Sequence, residues 1–175
     1  LEEERKKMEA ILRGMADMLV AVDEDGRVIS VNRAAEEAFG VTKGSSLGMP
    51  VQDLVVADIP PHRLPCRIVL ESRTPCLDVT YSVRSHDRFV PVLSSATPLF
   101  GASGALIGSM EILRDISHLK ALEKEREEFV SMLTHALKTP LTAAVGSIDL
   151  VREGRLGPVN DDQKADLESA AERCG

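Results

Sequence analysis

The feature that most constrains how this chain folds is a change in its hydrophobic period near residue 115. Beyond that point, one set of positions recurs at alternating three- and four-residue steps, namely Leu119, Leu122, Arg126, Phe129, Leu133 and Ala136. This spacing is typical of the seam of a coiled coil. Roughly 37 residues take part, and at about 1.5 Å per residue they form a helix about 55 Å long. A helix of that length cannot pack against one small domain alone, so we expect it to pack against another helix.

A break follows the long helix at residues 154–158, which read Gly-Arg-Leu-Gly-Pro. Asn160 or Asp161 can cap a second helix that runs to the end of the chain. The apolar side of this second segment consists of Leu156, Val159, Leu167 and Ala170. The two segments together predict a helical hairpin whose second arm is truncated.

Ahead of residue 115 the sequence predicts an α+β domain built on an antiparallel sheet. Two β-rich runs, residues 18–22 and 27–32, flank an Asp/Gly turn and indicate a hairpin. Asn32 is suited to cap a helix from Arg33 to Phe39, and Gly40 is suited to end it. Such a domain should therefore begin with a hairpin followed at once by a helix.

The remainder of this domain alternates between broken and β-rich segments. Glycines and prolines interrupt residues 41–64, which favours short helical turns and loops there. Strand character returns in three runs. The first combines residues 67–71 with 77–84, and the others cover residues 89–99 and 105–113. Turns at residues 85–87 and 101–104 separate the later runs, as expected for an antiparallel sheet.

Residues 1–17 predict a helix, because apolar side chains recur there at spacings of three, four and seven. A coiled coil arriving from upstream and a cap helix on its own domain both fit this pattern. The chain starts at Leu1 rather than Met and stops inside a helical pattern, so we expect it to be a piece of a longer protein. It contains no run approaching the ~20 apolar residues of a membrane span, which leaves open whether the parent protein is membrane-anchored.

Composition excludes several classes of function. The net charge of -7 and an aromatic content of 3% argue against nucleic-acid binding, which needs clustered cations or stacking side chains. The three cysteines, Cys66, Cys76 and Cys174, form no CxxC pair. An odd count without metal-ligand spacing indicates reduced thiols, and hence a cytoplasmic portion. We expect no metal site in this chain.

The residues that carry chemistry lie between Phe129 and Leu141. His135 lies about 200° around the helix from Leu133 and Leu137, so it points away from their apolar face. Pro140 cannot donate to the carbonyl of Ala136, which should bend the helix beside His135. A neutral imidazole carries a lone pair, so an exposed His135 can attack phosphorus.

The string around His135 resembles the phosphoacceptor box of sensor histidine kinases. The matching residues are His135, Leu137, Lys138, Thr139, Pro140 and Leu141, preceded by Phe129 and Val130. The region before it resembles a PAS domain in its opening hairpin, in Asn32 leading into Ala34-Ala35, in Phe39-Gly40 and in the closing Asp115-Ile116-Ser117. We therefore expect a linker helix at 1–17, a PAS sensor domain at 18–116, a coiled-coil linker at 117–128 and a truncated dimerisation domain at 129–175. The resemblance also implies that the helical hairpin forms part of a four-helix bundle in a homodimer.

The resemblance implies roles for these residues. His135 would accept the γ-phosphoryl group of ATP and pass it to an aspartate on a response regulator receiver domain. Thr139 would help orient the water that dephosphorylates the regulator, although a hydroxyl bonded back to its own helix is the other interpretation. ATP and Mg²⁺ would be bound by the parent's own ATP-binding domain. This chain has no nucleotide-binding loop, so we expect it to be inactive alone.

Ala136 departs from the resemblance, because histidine kinases place Asp or Glu directly after the histidine. That carboxylate orients the imidazole and accepts its proton, and general-base assistance contributes typically about 10²–10⁴-fold. We expect Ala136 to impair phosphorylation of His135. The sequence leaves open whether Ala136 is natural or introduced.

Two rival functions stay open at this point. One is a non-catalytic PAS module for dimerisation or small-ligand sensing with a decayed histidine box, which Ala136 favours. The other is a PAS module serving a different output, such as a cyclase or a transcription factor, which the histidine box opposes. The flavin-photosensor cysteine motif is missing, and His62 and His86 are interpreted as surface residues rather than haem ligands. A closed core and a small-molecule cavity both remain compatible with the sequence.

Arg126 occupies a seam position that coiled coils prefer to fill with apolar residues. We expect Arg126 to keep the coiled-coil packing of the linker at 117–128 only marginally stable, so that the linker can switch between two packings.

Overall fold

The computed structural model describes residues 3–4, 7, 10, 14–155, 157–158 and 160–174. The chain divides into two compact units, the first ending at Lys120 and the second beginning at Ala121. Most of the helix predicted over residues 1–17 lies outside the described residues, as do Leu156 and Val159 of the second predicted helix.

The first unit is organised around one antiparallel sheet, as predicted. Within the described residues it has five strands, β1 (Met18–Val22), β2 (Val28–Val31), β3 (Cys76–Ser85), β4 (Arg88–Phe100) and β5 (Leu106–Asp115). Their order across the sheet is β2-β1-β5-β4-β3. The first and last strands along the chain are therefore direct neighbours, and β5 pairs with β1 from Met18↔Leu113 to Val22↔Ser109.

Short helices connect the hairpin to the later strands. They are α1 (Arg33–Phe39), α2 (Lys43–Ser46), α3 (Val51–Leu54), a 3₁₀ turn (Pro61–Arg63) and α4 (Pro65–Ser72). The predicted ends of α1 are confirmed, since the Ala35 N–H donates to Asn32 Oδ1 at 3.0 Å and Gly40 ends the helix with φ +66°. The broken sequence of residues 41–64 thus forms single turns, as its glycines and prolines indicate.

The strand predicted at residues 67–71 is wrong, because this segment belongs to helix α4. Ile68 and Val69 suggested a strand through their β-branched side chains. Pro65 occupies the first helical position, where its missing N–H costs no hydrogen bond. Cys66 and Val69 lie three residues apart and are both fully buried, so the helix covers the sheet with one face. Burial of this face outweighs the local strand preference.

The core lies between the sheet and the short helices. On β4 the residues Val90, Val92, Ser94 and Ala96 are buried while those between them are partly exposed, the two-residue period of a half-buried strand. The two cysteines with described side chains, Cys66 and Cys76, are free thiols.

The second unit continues a helix that begins in the first. Helix α5 (Ser117–Arg152) has 36 residues, so it is about 54 Å long. Helix α6 (Asp161–Cys174) follows the glycine-rich break. Asn160 caps it, since the Gln163 N–H donates to Asn160 Oδ1 at 2.8 Å and the Asn160 N–H donates to Gln163 Oε1 at 3.1 Å. No helix in the described part of the chain has the length and apolar character needed to cross a lipid bilayer.

Candidate functional site

His135 lies near the middle of helix α5, and its side chain is exposed. The seam side chains on the same helix are exposed as well, with 49% for Leu122, 55% for Phe129, 43% for Leu133 and 58% for Leu137. A row of apolar side chains along a helix is usually buried against another helix. The helix therefore presents both an accessible imidazole and an uncovered apolar stripe.

A shallow, open depression on α5 brings His135 together with other polar side chains. Lys138, Thr139, Thr142 and Ala143 line it beside the imidazole. These positions follow His135 by three, four, seven and eight residues, the spacing that places side chains on one helical face. The four-residue spacing predicted Thr139 on the face of His135, whereas Lys138 was named only as part of the matching sequence. Thr142 was missed, although its seven-residue spacing was a usable signal.

The hydroxyl groups along this helix fall into two kinds. Thr134 Oγ1 donates to the Val130 carbonyl at 2.9 Å, and Ser147 Oγ donates to the Ala143 carbonyl at 2.9 Å. Thr139 makes no such bond to any described residue. Its hydroxyl is therefore available to solvent or to a partner beside His135.

Pro140 lies inside α5 without ending it, since helical conformation continues from Ser117 to Arg152. Proline has no N–H, so the Ala136 carbonyl lacks its usual i+4 donor. This carbonyl belongs to the residue that follows His135, and Ala136 as a whole is exposed. The bend expected at this turn stays a prediction.

The charged side chain lining the depression is Lys138, and Ala136 brings no carboxylate to it. An approaching phosphoryl group would meet a cation and two hydroxyls there. Among the described residues no cluster of three or more His, Cys, Asp or Glu side chains is suited to hold a metal ion.

The two histidines considered as haem ligands lie at the surface of the first unit. His62 is exposed in the 3₁₀ turn, and His86 is exposed in the turn between β3 and β4 with φ +52°. Arg67 donates to the Asp25 carbonyl at 3.1 Å, so its guanidinium takes part in the surface structure.

Sequence reasoning missed a buried polar cluster centred on Glu111 of β5, which is 1% exposed. Oε1 of its carboxylate accepts from the Tyr81 hydroxyl at 2.6 Å and from Ser94 Oγ at 2.6 Å. Oε2 accepts from the Cys66 N–H at 3.2 Å. Burial, with the nearby negative charge of Glu111 adding to it, raises the pKa of the Tyr81 hydroxyl and of the Cys66 thiol. A usable signal was present, since Glu111 shares the inward-facing period of Ser109 and Leu113.

An ion pair joins the residue that precedes β1 to the neighbouring strand β5. Arg114 Nη2 lies 2.9 Å from Asp17 Oδ2, and Arg114 Nε lies 3.2 Å from both carboxylate oxygens. Asp17 immediately precedes β1, and Arg114 lies near the end of β5. The pair therefore connects the point where the chain enters the sheet to the point where it leaves.

Comparison with known proteins identifies both units. Residues 12–121 match the PAS fold family, and residues 125–175 match the His Kinase A (phospho-acceptor) domain. The sensor protein kinase WalK of Staphylococcus haemolyticus is 26% identical over 153 residues, and the sensor histidine kinase WalK of Bacillus subtilis is 24% identical over 153 residues. Each alignment covers 87% of this chain and 24% of the relative, so the chain spans about a quarter of their length.

Solved structures agree on the fold of the first unit. A PAS domain of a protein from Colwellia psychrerythraea superposes with a TM-score of 0.54 at 20% identity, covering 66% of this chain and 98% of that one. A PAS domain from a two-component sensor histidine kinase superposes with a TM-score of 0.53 at 18% identity, covering 65% of this chain and 97% of that one.

Proposed function

Because this chain belongs to the PAS-fold family and continues into a His Kinase A phospho-acceptor domain, as a portion of a sensor histidine kinase, we propose that His135 is its phosphate acceptor. The observation that carries this proposal is the exposed imidazole beside Lys138 and Thr139 on one open face of α5. A ring nitrogen of the neutral imidazole attacks the γ-phosphorus of ATP. The new N–P bond forms as the P–O bond to ADP breaks, and the other ring nitrogen then releases its proton.

ATP and Mg²⁺ are supplied by the ATP-binding domain of the parent protein, which acts on this helix. The phosphoryl group passes from His135 to an aspartate on the receiver domain of a response regulator. Lys138 meets the negative charge of the phosphoryl group during both transfers. The free Thr139 hydroxyl is suited to orient the water that removes phosphate from the regulator.

The uncovered apolar stripe on α5 supports dimerisation through this helix. Leu122, Phe129, Leu133 and Leu137 expose about half of their surface in one chain. Pairing two copies would bury them in a helical bundle at about 25 cal/mol per Å² of apolar surface. The PAS domain (18–116) then acts through the linker (117–128) on the dimerisation domain (129–175), all on the cytoplasmic side where ATP is available.

Ala136 sets the expected rate of the first step. Neither Ala136 nor the described residues that line the depression bring a carboxylate to accept the proton of the imidazole, so water accepts it instead. General-base assistance contributes typically about 10²–10⁴-fold, so we expect slow phosphorylation of this chain. The experiment is to mix the chain with an ATP-binding domain of a competent histidine kinase and radiolabelled ATP. The expected result is a weak, acid-labile label that His135→Gln abolishes.

Ala136→Asp should raise the initial rate of labelling by at least tenfold, and Ala136→Asn, which has the same shape without the charge, should not. A label that survives in His135→Gln would contradict the assignment of the acceptor. Absence of label in both the unaltered chain and Ala136→Asp would favour a non-catalytic PAS dimerisation module.

A further inference from the structure

The buried carboxylate of Glu111 is held by donors from three separate elements. Tyr81 belongs to β3, Ser94 to β4 and Cys66 to α4. The three donor–acceptor distances lie between 2.6 and 3.2 Å. No lysine, arginine or histidine of the described residues forms a salt bridge with Glu111. The carboxylate is therefore held by hydrogen-bond donors rather than by a counter-ion.

The contact with α4 supplies a hydrogen-bond acceptor for the first turn of that helix. The first N–H groups of a helix have no intrahelical partner, and they carry the positive end of its dipole. Leu64 precedes α4 and provides no side-chain cap. Glu111 Oε2 takes that role by accepting from the Cys66 N–H, and Ser109 Oγ donates to the Cys66 carbonyl at 3.1 Å. Two side chains of β5 thus bind the first turn of α4.

The same strand leads directly into the long helix. Strand β5 ends at Asp115, four residues after Glu111, and Asp115 Oδ1 accepts from the Ser117 N–H at 2.8 Å where α5 begins. The Ile116 N–H donates to the Pro91 carbonyl of β4 at 3.0 Å. A change in how Glu111 is held therefore acts on the strand that supports the first turn of α5.

We propose that Glu111 is a built-in ligand, a tethered carboxylate in a carboxylate-binding site formed by Cys66, Tyr81 and Ser94, whose occupancy holds β5 and the first turn of α5 in place. The proposal goes beyond phosphate transfer and does not depend on His135. It has a specific chemical consequence. Truncating Glu111 to alanine removes the atoms of one acetate and leaves the three donors unsatisfied in a buried space. Free acetate should then bind in the space that the side chain occupied.

The test uses the full chain with Glu111→Ala, followed by thermal unfolding with increasing acetate. Loss of the carboxylate should lower Tm by roughly 10 °C or more, since it opens a cavity and orphans buried donors. Acetate should restore Tm in a saturable manner, because it binds only the folded state. Acetamide, of similar shape without the charge, and sodium chloride at equal ionic strength should restore much less. Hydrogen exchange at residues 112–120 should accelerate in the variant and slow again with acetate.

Leu113→Ala is the matched control, because Leu113 is fully buried two residues away on the same face of β5. It should lose stability without responding to acetate. An equal acetate effect on both variants, or an equal effect of acetamide, would overturn the proposal. If Glu111→Ala does not fold, Glu111→Gln keeps the shape without the charge. Glu111→Gln should then lower Tm and the protection of residues 112–120 against hydrogen exchange. Unchanged Tm and unchanged protection would also overturn the proposal.

Discussion

Asn32 joins three parts of the first unit through one buried amide, and replacing it with alanine should be severely destabilising. Its Oδ1 accepts from the Leu19 N–H at 2.9 Å and from the Ala35 N–H at 3.0 Å. Its Nδ2 donates to the Asp17 carbonyl at 2.9 Å. The side chain therefore caps α1, holds the backbone of β1 and fixes the segment by which the chain enters the sheet.

The magnitude follows from these contacts. Loss of the helix cap costs about 1 kcal/mol. The Leu19 N–H is left buried without an acceptor, which costs about 1–3 kcal/mol. The Asp17 carbonyl is partly accessible to water, so its loss adds about 0.5 kcal/mol. The sum is about 2.5–4.5 kcal/mol, which should lower the Tm of a unit of this size by roughly 10–25 °C.

The assay is equilibrium urea unfolding, followed by circular dichroism, of the unaltered chain, Asn32→Ala and two controls. Asn32→Asp keeps an acceptor for both N–H groups and should lose about half as much free energy of unfolding. Thr42→Ala removes an exposed cap of α2, whose Oγ1 accepts from the Ser45 N–H at 3.3 Å, and should cost at most about 1 kcal/mol. A loss below about 1 kcal/mol for Asn32→Ala would refute the reasoning, because the buried donor would then be satisfied elsewhere.

Two further predictions concern the pairing of β1 with β5. A Cβ at Gly108, where φ is +153°, would lie 2.0 Å from the Val22 carbonyl oxygen. Gly108→Ala should therefore lower Tm sharply and accelerate amide hydrogen exchange in β1. Unchanged exchange rates would mean that β1 and β5 do not approach each other this closely. Asp17→Arg and Arg114→Asp should each lower Tm, and the double reversal should recover most of the loss at low salt. Failure of the double variant to exceed both single variants would show that the two charges do not interact.

Local signals explain the parts of the fold that the sequence predicted. The cap at Asn32 and the end of α1 at Gly40 depend on residues within one or two turns of each other. The long helix and its seam depend on repeated spacings of three and four residues, which any helix displays on one face. The place of Thr139 was predictable for the same reason, since it follows His135 by four residues and lines the same depression.

Tertiary structure decided the features for which local sequence preference was ambiguous or favoured a different element. Residues 67–71 prefer a strand locally, yet they form part of α4 because Cys66 and Val69 can be buried against the sheet. The carboxylate of Glu111 meets donors that lie 17, 30 and 45 residues away along the chain. No repeat or spacing encodes such partners, because they meet only when β3, β4, β5 and α4 have assembled. The sequence thus determined most of the elements and the face of α5 that carries His135, whereas packing determined the fold of residues 67–71 and how the first unit holds the strand that leads into α5.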